Sequence, residues 1–111
     1  MIISKLHPYS EVDNLGQKYK YYVVQNFEFG NKQQFEELKE FAENNLDNDY
    51  NKFEGYAVGF YKESSRAPID FKQTESDLIL WHGSDLIYSF EWQNGKFLNY
   101  YEYKDGKIVS K

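Results

Sequence analysis

The side chains of this chain that could perform chemistry are few and poorly grouped. His82, Ser84 and Asp85 supply the residue types of a catalytic triad, but they crowd into one predicted tight turn. Such close neighbours cannot form the line of nucleophile, base and orienting acid that a triad needs. His7 and His82 are the two histidines, they are distant in sequence, and the chain has no cysteine. We therefore expect no metal site, no bound cofactor, and neither thiol nor triad catalysis.

Glu91 and Glu102 are the best candidates for a pair of catalytic carboxylates. Both are predicted on one face of a hairpin, where the predicted register separates them by about 14 Å along the strand, at roughly 3.4 Å per residue. Glycosidase carboxylates lie about 5–9.5 Å apart, so this distance excludes the pair. No glycine-rich loop that could hold a phosphate opens the predicted helix. The sequence thus predicts a protein that is not an enzyme.

The charge balance is acidic, with 18 Asp and Glu against 13 Lys and Arg in 111 residues, a net charge of −5. Arg66 is the only arginine. Proteins that bind nucleic acid concentrate Lys and Arg, so we expect no DNA or RNA partner, and a basic protein is the better fit. No segment has the length of a signal peptide or a membrane span. We expect one cytoplasmic domain, residues 1–111.

The first half of the chain has the periodicity of a strand followed by a helix. Alternation from Lys18 to Phe29 predicts a half-buried strand with odd-numbered residues facing inward and Lys20 facing outward. Asn31 and Gln34 have the spacing of a helix N-cap and capping box. Apolar residues then recur at helical spacing, which predicts an amphipathic helix over residues 32–46. Its outer face carries acidic residues that we interpret as a solubilising surface: Glu36, Glu37, Glu40 and Glu43.

A second alternating segment, Glu54 to Tyr61, predicts another strand, in which Gly59 marks a bulge or a close backbone approach. The irregular segment 62–77 follows, and four strands are predicted beyond it. The predicted fold class is therefore α+β. A single amphipathic helix packs on one face of a twisted antiparallel sheet, in the order β-α-β and then a C-terminal four-strand meander.

Three two-residue turn signals define that meander: Gly83-Ser84, Asn94-Gly95 and Asp105-Gly106. These turns fix a register in which most of the aromatic residues face the helix as core. The predicted opposite pairs are Ile79 with Tyr88, Trp81 with Leu86, Tyr88 with Tyr101, Phe90 with Asn99, Trp92 with Phe97, and Tyr103 with Ile108.

The other face of the meander is the predicted site. It carries apolar, aromatic and acidic residues together, and such a mixture favours a surface that binds a partner. Alternatively, the segment 62–77 or the N-terminus, through Ile2, Ile3 and Leu6, covers it. The excess of tyrosine has two explanations, AT-rich codons or use at an interface. The predicted partner-binding residues are Ile87, Glu91, Leu98, Tyr100 and Glu102, with Arg66 as a further loop anchor.

Two functions remain. The first is a small non-catalytic protein-binding module, specifically an inhibitor or immunity-type protein that neutralises a basic toxin or nuclease, because acidic carboxylates on a tyrosine-rich surface can imitate nucleic-acid phosphates. The second is a small-ligand-binding or enzymatic domain with a pocket between the sheet and the 62–77 loop.

Overall fold

The computed structural model of the chain describes residues 2–12, 16–63 and 85–110, with the backbone alone for residues 2, 4–12 and 110. The elements are β1 (Ile2–Val12), β2 (Gln17–Gln25), α1 (Lys32–Asn44), a 3-10 helix (Tyr50–Lys52), β3 (Gly55–Lys62), β4 (Leu86–Gln93), β5 (Lys96–Lys104) and β6 (Lys107–Ser110).

The six described strands form one sheet in chain order, from β1 to β6. β2 and β3 are parallel and are joined through α1, whereas every other neighbouring pair is antiparallel. A parallel pair needs a long crossover, and α1 supplies it. The α+β class with a single helix is thus confirmed. Within the described ranges, no helix is both long enough and apolar enough to cross a membrane.

The start of α1 follows the capping chemistry in the sequence. The Asn31 side chain accepts a hydrogen bond from the Gln34 backbone N–H at 3.1 Å, which confirms the predicted N-cap. The Gln34 side chain accepts from the Glu28 backbone N–H at 2.7 Å instead of returning to the N-cap residue itself. The helix ends at Asn44, two residues before the predicted end, and the Asn45 side chain donates to the Phe41 carbonyl at 2.8 Å.

The main core lies between α1 and the sheet. Leu38 and Ala42 of the helix are buried against aromatic rings from β2, β3 and β4, and Phe60 and Phe90 stack edge to face with centroids 5.9 Å apart. Tyr88, Phe90 and Trp92 are buried there, as predicted. The buried members of this cluster are Tyr22, Val24, Leu38, Ala42, Tyr56, Val58, Phe60, Ile87, Tyr88, Phe90 and Trp92.

The predicted orientation of β2 is wrong. Lys20, Tyr22 and Val24 face the helix, because they pair with Val58, Phe60 and Lys62 of β3, and the odd-numbered residues face away. The strand is buried on both sides, so its alternation carries no inside-outside signal. Phe27 and Phe29, predicted as strand residues, follow the end of β2 instead.

Gly59 is required by a close approach, as the sequence indicates. A Cβ at this position would lie 2.8 Å from the Tyr21 ring, which packs across the neighbouring strand. The sequence does not predict β1, whose residue Ile3 packs against the main core. The alternative that Ile3 covers the open face of the meander is therefore wrong, because Ile3 lies on the helix side of the sheet.

The two hairpin turns that the structure describes, between β4 and β5 and between β5 and β6, have the predicted chemistry. Asn94 and Gly95 have φ of 49° and 83°, and Asp105 and Gly106 have φ of 53° and 80°. Positive φ at both central residues is the geometry of a type I′ turn. Trp92 pairs with Phe97, and Tyr103 with Ile108, as predicted. The Gly83-Ser84 turn, Ile79, Trp81 and the first strand of the predicted meander lie outside the described residues.

Candidate protein-binding surface

The two faces of the sheet differ in composition. We call the side covered by α1 the helix face and the opposite side the tyrosine face. The strand registers place on the tyrosine face five tyrosines from β2, β3 and β5: Tyr19, Tyr21, Tyr61, Tyr101 and Tyr103.

Glu91 lies on the tyrosine face, as predicted, on the central strand β4. Its neighbours across the ladder are Ala57 of β3 and Asn99 of β5. Gly59 and Ser89 are the next pair along the same two strands. Ala57 is small, whereas the Tyr21 ring packs over Gly59. The space left open on this face is therefore the part around Glu91, which we call the trough. A cavity of about 240 Å³ opens at this end, lined in part by Tyr19, Glu91 and Leu98.

Glu91 is half-buried, and burial raises the pKa of its carboxyl above the ordinary value. In the part of the chain that the structure describes, no ion pair involves it. Burial also raises the pKa of Tyr103, and the charge of Glu91 adds to that rise. The trough therefore holds a carboxylate whose hydration is reduced and which no described neighbour neutralises.

The tyrosine face is covered at one end and accessible at the other. Val23 and Tyr61 form a second buried cluster, with exposed fractions of 0% and 2%. At the opposite end, beside Glu91, Leu98 is 58% exposed. Part of this face is thus a second core, and the part around Glu91 is the accessible surface.

Tyr100 and Glu102 do not lie on the open face predicted for them. The β4–β5 ladder runs from Trp92–Phe97 to Glu91–Asn99, so Leu98 is an extra residue that forms a β-bulge. Beyond the bulge every side chain of β5 changes face relative to the predicted register. Phe90 pairs with Tyr100 instead of Asn99, and Tyr88 pairs with Glu102 instead of Tyr101. Tyr100 and Glu102 are therefore on the helix face.

Ile87 is also misplaced by the sequence reading. A second irregularity, in the β3–β4 ladder, pairs Phe60 with Tyr88 but Tyr61 with Leu86, which leaves Ile87 as the extra residue. Ile87 is 0% exposed and belongs to the main core, so the open-face position predicted for it is wrong. Leu98 is exposed near Glu91, as predicted. Arg66 lies outside the described residues, and so does the predicted 62–77 loop beyond Glu63, so the structure does not test the pocket predicted there.

A groove lies on the helix face where α1 begins. It has a volume of about 380 Å³, and Phe35, Tyr88 and Tyr100 supply its aromatic walls. The Phe35 ring centroid is 5.1 Å from that of Tyr88 and 4.9 Å from that of Tyr100. The Tyr88 hydroxyl donates to Glu102 Oε1 at 3.2 Å. Burial, together with the charge of Glu102, raises the pKa of Tyr88, so this hydroxyl keeps its proton.

A buried polar cluster that the sequence reading missed joins β2 to the segment after α1. Lys18 and Lys20 both pair with Asp47, and the Lys20 Nζ donates to the Asn45 carbonyl at 2.8 Å. The Tyr56 hydroxyl donates to Asp47 Oδ2 at 3.0 Å. Burial by itself would raise the pKa of Asp47, but the hydrogen bonds from Lys18 and Tyr56 and the lysine charges hold it below its ordinary value.

The enzymatic arrangements weighed from the sequence are not assembled among the described residues. Glu91 and Glu102 point to opposite faces of the sheet, so they cannot act on one substrate as a carboxylate pair. In the described ranges, no group of three His, Cys, Asp or Glu residues could hold a metal ion. His82 and Ser84 are outside those ranges.

Compared with protein families, curated proteins and solved structures, the chain shows no match to any of them.

Proposed function

We propose that this chain is a small acidic module that binds a basic protein through the accessible end of the tyrosine face. More specifically, we propose an inhibitor or immunity-type protein that neutralises a basic toxin or nuclease. The observation that carries the proposal is Glu91, a half-buried carboxylate without an ion pair among the described residues, lying in a trough that Tyr19 and Leu98 help to line.

The trough fits a lysine or arginine side chain of the partner. Such a side chain would lay its apolar stem against Tyr19 or Tyr101 and bring its charge to Glu91. Because water is partly excluded there, the attraction between the two charges exceeds that of an exposed pair. The partner's cation would also relieve the unfavourable burial of the Glu91 charge, which favours the complex over the free chain.

The surroundings have the composition of a binding surface. Leu98 is an exposed apolar side chain beside Glu91, and Ile108 is an exposed one paired with Tyr103. Tyrosine is enriched in the energetically dominant centres of interfaces. The net charge of −5 would steer a basic partner toward the chain and accelerate association at low salt.

The inhibitor role rests on charge imitation. A toxin that acts on nucleic acid carries a basic groove for phosphates, and an acidic tyrosine-rich surface is complementary to such a groove. The glutamates on the outer side of α1, all exposed, add to the negative field: Glu36, Glu37, Glu40 and Glu43.

The test is capture from a lysate of the cells that encode the chain, with four forms of the immobilised protein. The parent and Glu37→Gln should retain the same basic protein, whereas Glu91→Gln and Tyr103→Ala should lose it. Glu37 lies on the exposed side of α1, so it matches the charge change without touching the trough. Removal of an aromatic anchor should cost roughly 2 kcal/mol of binding free energy, mainly as faster dissociation.

The captured protein then decides the inhibitor role. Its activity should fall to zero at one equivalent of the parent chain, and Glu91→Gln should need a clear excess. A captured basic protein without toxin or nuclease activity would refute the inhibitor role while leaving the binding module in place. Equal retention by all four forms would place the binding site elsewhere.

A further inference from the structure

The groove at the start of α1 has the chemistry of a binding site that the proposed function does not use. It lies on the helix face, whereas the basic partner is proposed to bind on the tyrosine face. Its volume of about 380 Å³ falls within the range of small-molecule sites. Three aromatic side chains, two carboxylates and one lysine line it: Phe35, Tyr88, Tyr100, Glu36, Glu102 and Lys32.

The aromatic walls are fixed by packing. Phe35 contacts both Tyr88 and Tyr100, and Phe90 lies behind them with centroid distances of 5.8 Å to Phe35 and 6.1 Å to Tyr100. Rings held in this way present faces and edges that need no rearrangement when a ligand arrives. An aromatic face attracts a cation, and the attraction increases when water is partly excluded.

The carboxylates lie at the rim of the same groove. Glu102 Oε1 accepts the hydrogen bond from the Tyr88 hydroxyl, which orients the carboxylate against the aromatic wall. Glu36, an exposed residue of α1, is the second carboxylate that lines the groove.

We propose that this groove binds an organic cation, with an ammonium or guanidinium group at Glu102 and Glu36 and its apolar part against Phe35 and Tyr100. The start of α1 does not make it an anion site, because the Asn31 side chain already caps the Gln34 N–H and the carboxylates outnumber Lys32. Lys32 repels the cation and so weakens its binding.

The test is an NMR titration of the ¹⁵N-labelled full chain with Nα-acetyl-arginine amide. Nα-acetyl-citrulline amide, which has nearly the same shape and no charge, is the matched neutral probe. The arginine probe should give saturable shifts centred on the backbone amides of Gly30, Phe35 and Tyr100. The citrulline probe should bind at least about tenfold more weakly, because it cannot form charge-assisted bonds. Absence of saturation at tens of millimolar, or equal binding of both probes, would overturn the proposal.

Three variants set the sign of the charge effect. Glu102→Gln should weaken binding of the arginine probe by about tenfold, while it keeps an oxygen for the Tyr88 hydroxyl. Lys32→Gln should strengthen it, and Glu37→Gln, on the same helix but outside the groove, should change it little. Weaker binding in Lys32→Gln would show that removing a positive charge does not favour the cation, and would refute the cation site. If Glu102→Gln fails to fold, Glu36→Gln replaces it with the same expected direction.

The outcome is separate from that for the tyrosine face. Glu91→Gln should leave binding of the arginine probe in the groove unchanged, because Glu91 is on the other side of the sheet. If Glu91→Gln alone removes the shifts, the probe is binding in the tyrosine-face trough and the groove proposal fails.

Discussion

The Lys20 ammonium lies 3.5 Å from Asp47 Oδ1, in a cluster where Lys20 is only 6% exposed. Removing the charge of Asp47 would leave a buried lysine without a described counter-charge, with the Asn45 carbonyl and the Tyr22 ring as its neighbours. An unpaired buried charge is strongly destabilising. Because Asp47 itself is partly exposed, the effect should be smaller than for a fully buried pair. We expect Asp47→Asn to lower the free energy of unfolding by about 2 kcal/mol. Chemical denaturation checks this value.

Asp49→Asn is the matched control for that substitution. Asp49 is exposed and its side chain makes no capping hydrogen bond to the 3-10 helix that follows it. Its replacement should change the stability by less than about 0.5 kcal/mol. Equal effects of the two variants on the free energy of unfolding would mean that the ion pairs of Asp47 with Lys18 and Lys20 do not stabilise the fold.

The same cluster predicts how stability responds to acid. The pKa of Asp47 lies below its ordinary value of 3.8 in the folded chain. The stabilisation of the folded chain by ionised Asp47 is therefore fully present above the ordinary pKa of 3.8. It is lost as the pH falls through the lower folded-state pKa. The parent should lose more stability than Asp47→Asn over this acid range, so the two unfolding curves should converge. Parallel curves, measured by thermal unfolding at successive pH values, would contradict the assignment.

The features of the fold that local chemistry determines could be predicted from the sequence. The N-cap at Asn31 and the turns at Asn94-Gly95 and Asp105-Gly106 depend on residues adjacent in the chain. The orientation of β2 depends on distant residues, since burial of Lys20 becomes favourable only when Asp47 arrives from the segment after α1. That partnership leaves no trace in the periodicity of the strand.

The candidate site was harder to predict for the same reason. Glu91 lies on β4, one residue from Trp92, whereas the bulge is on β5. Alternation along β4 from the turn therefore predicts the face of Glu91 correctly. The bulge at Leu98 has no glycine to signal it, so the faces of Tyr100 and Glu102 were reversed by a single residue. Because Tyr100 and Glu102 are on the helix face, the tyrosines of β5 that share a face with Glu91 are Tyr101 and Tyr103.

Glu91 should cost the free chain stability at neutral pH. Its pKa is raised by burial above the ordinary 4.5, so the folded state holds the proton more tightly than the unfolded state does. Stability therefore falls as the pH rises from that value through the raised pKa. Glu91→Gln should raise the melting temperature by a few degrees at pH 7, a gain below about 1 kcal/mol, and by less at pH 4.

Glu43→Gln, which removes a charge from an exposed position on α1, is the control for net charge. If it raises the melting temperature as much as Glu91→Gln does, general repulsion among the acidic residues explains the gain. A loss of stability in Glu91→Gln would instead mean that its carboxylate makes a favourable contact in the free chain, and the proposed role of the partner's cation would weaken.

Deleting Leu98 should leave the fold intact, because Leu98 is the residue that the bulge adds to β5. Trp92 would still pair with Phe97, and Glu91 with Asn99, so every later side chain would keep its face. Deleting Tyr101 has the opposite consequence, since Glu102 and Tyr103 would exchange faces and break the Tyr88–Glu102 hydrogen bond. We expect near-parental near-ultraviolet circular dichroism and cooperative melting for the Leu98 deletion, and a loss of several kcal/mol or failure to fold for the Tyr101 deletion. Equal damage from both deletions would show that Leu98 itself, rather than its effect on register, matters to the fold.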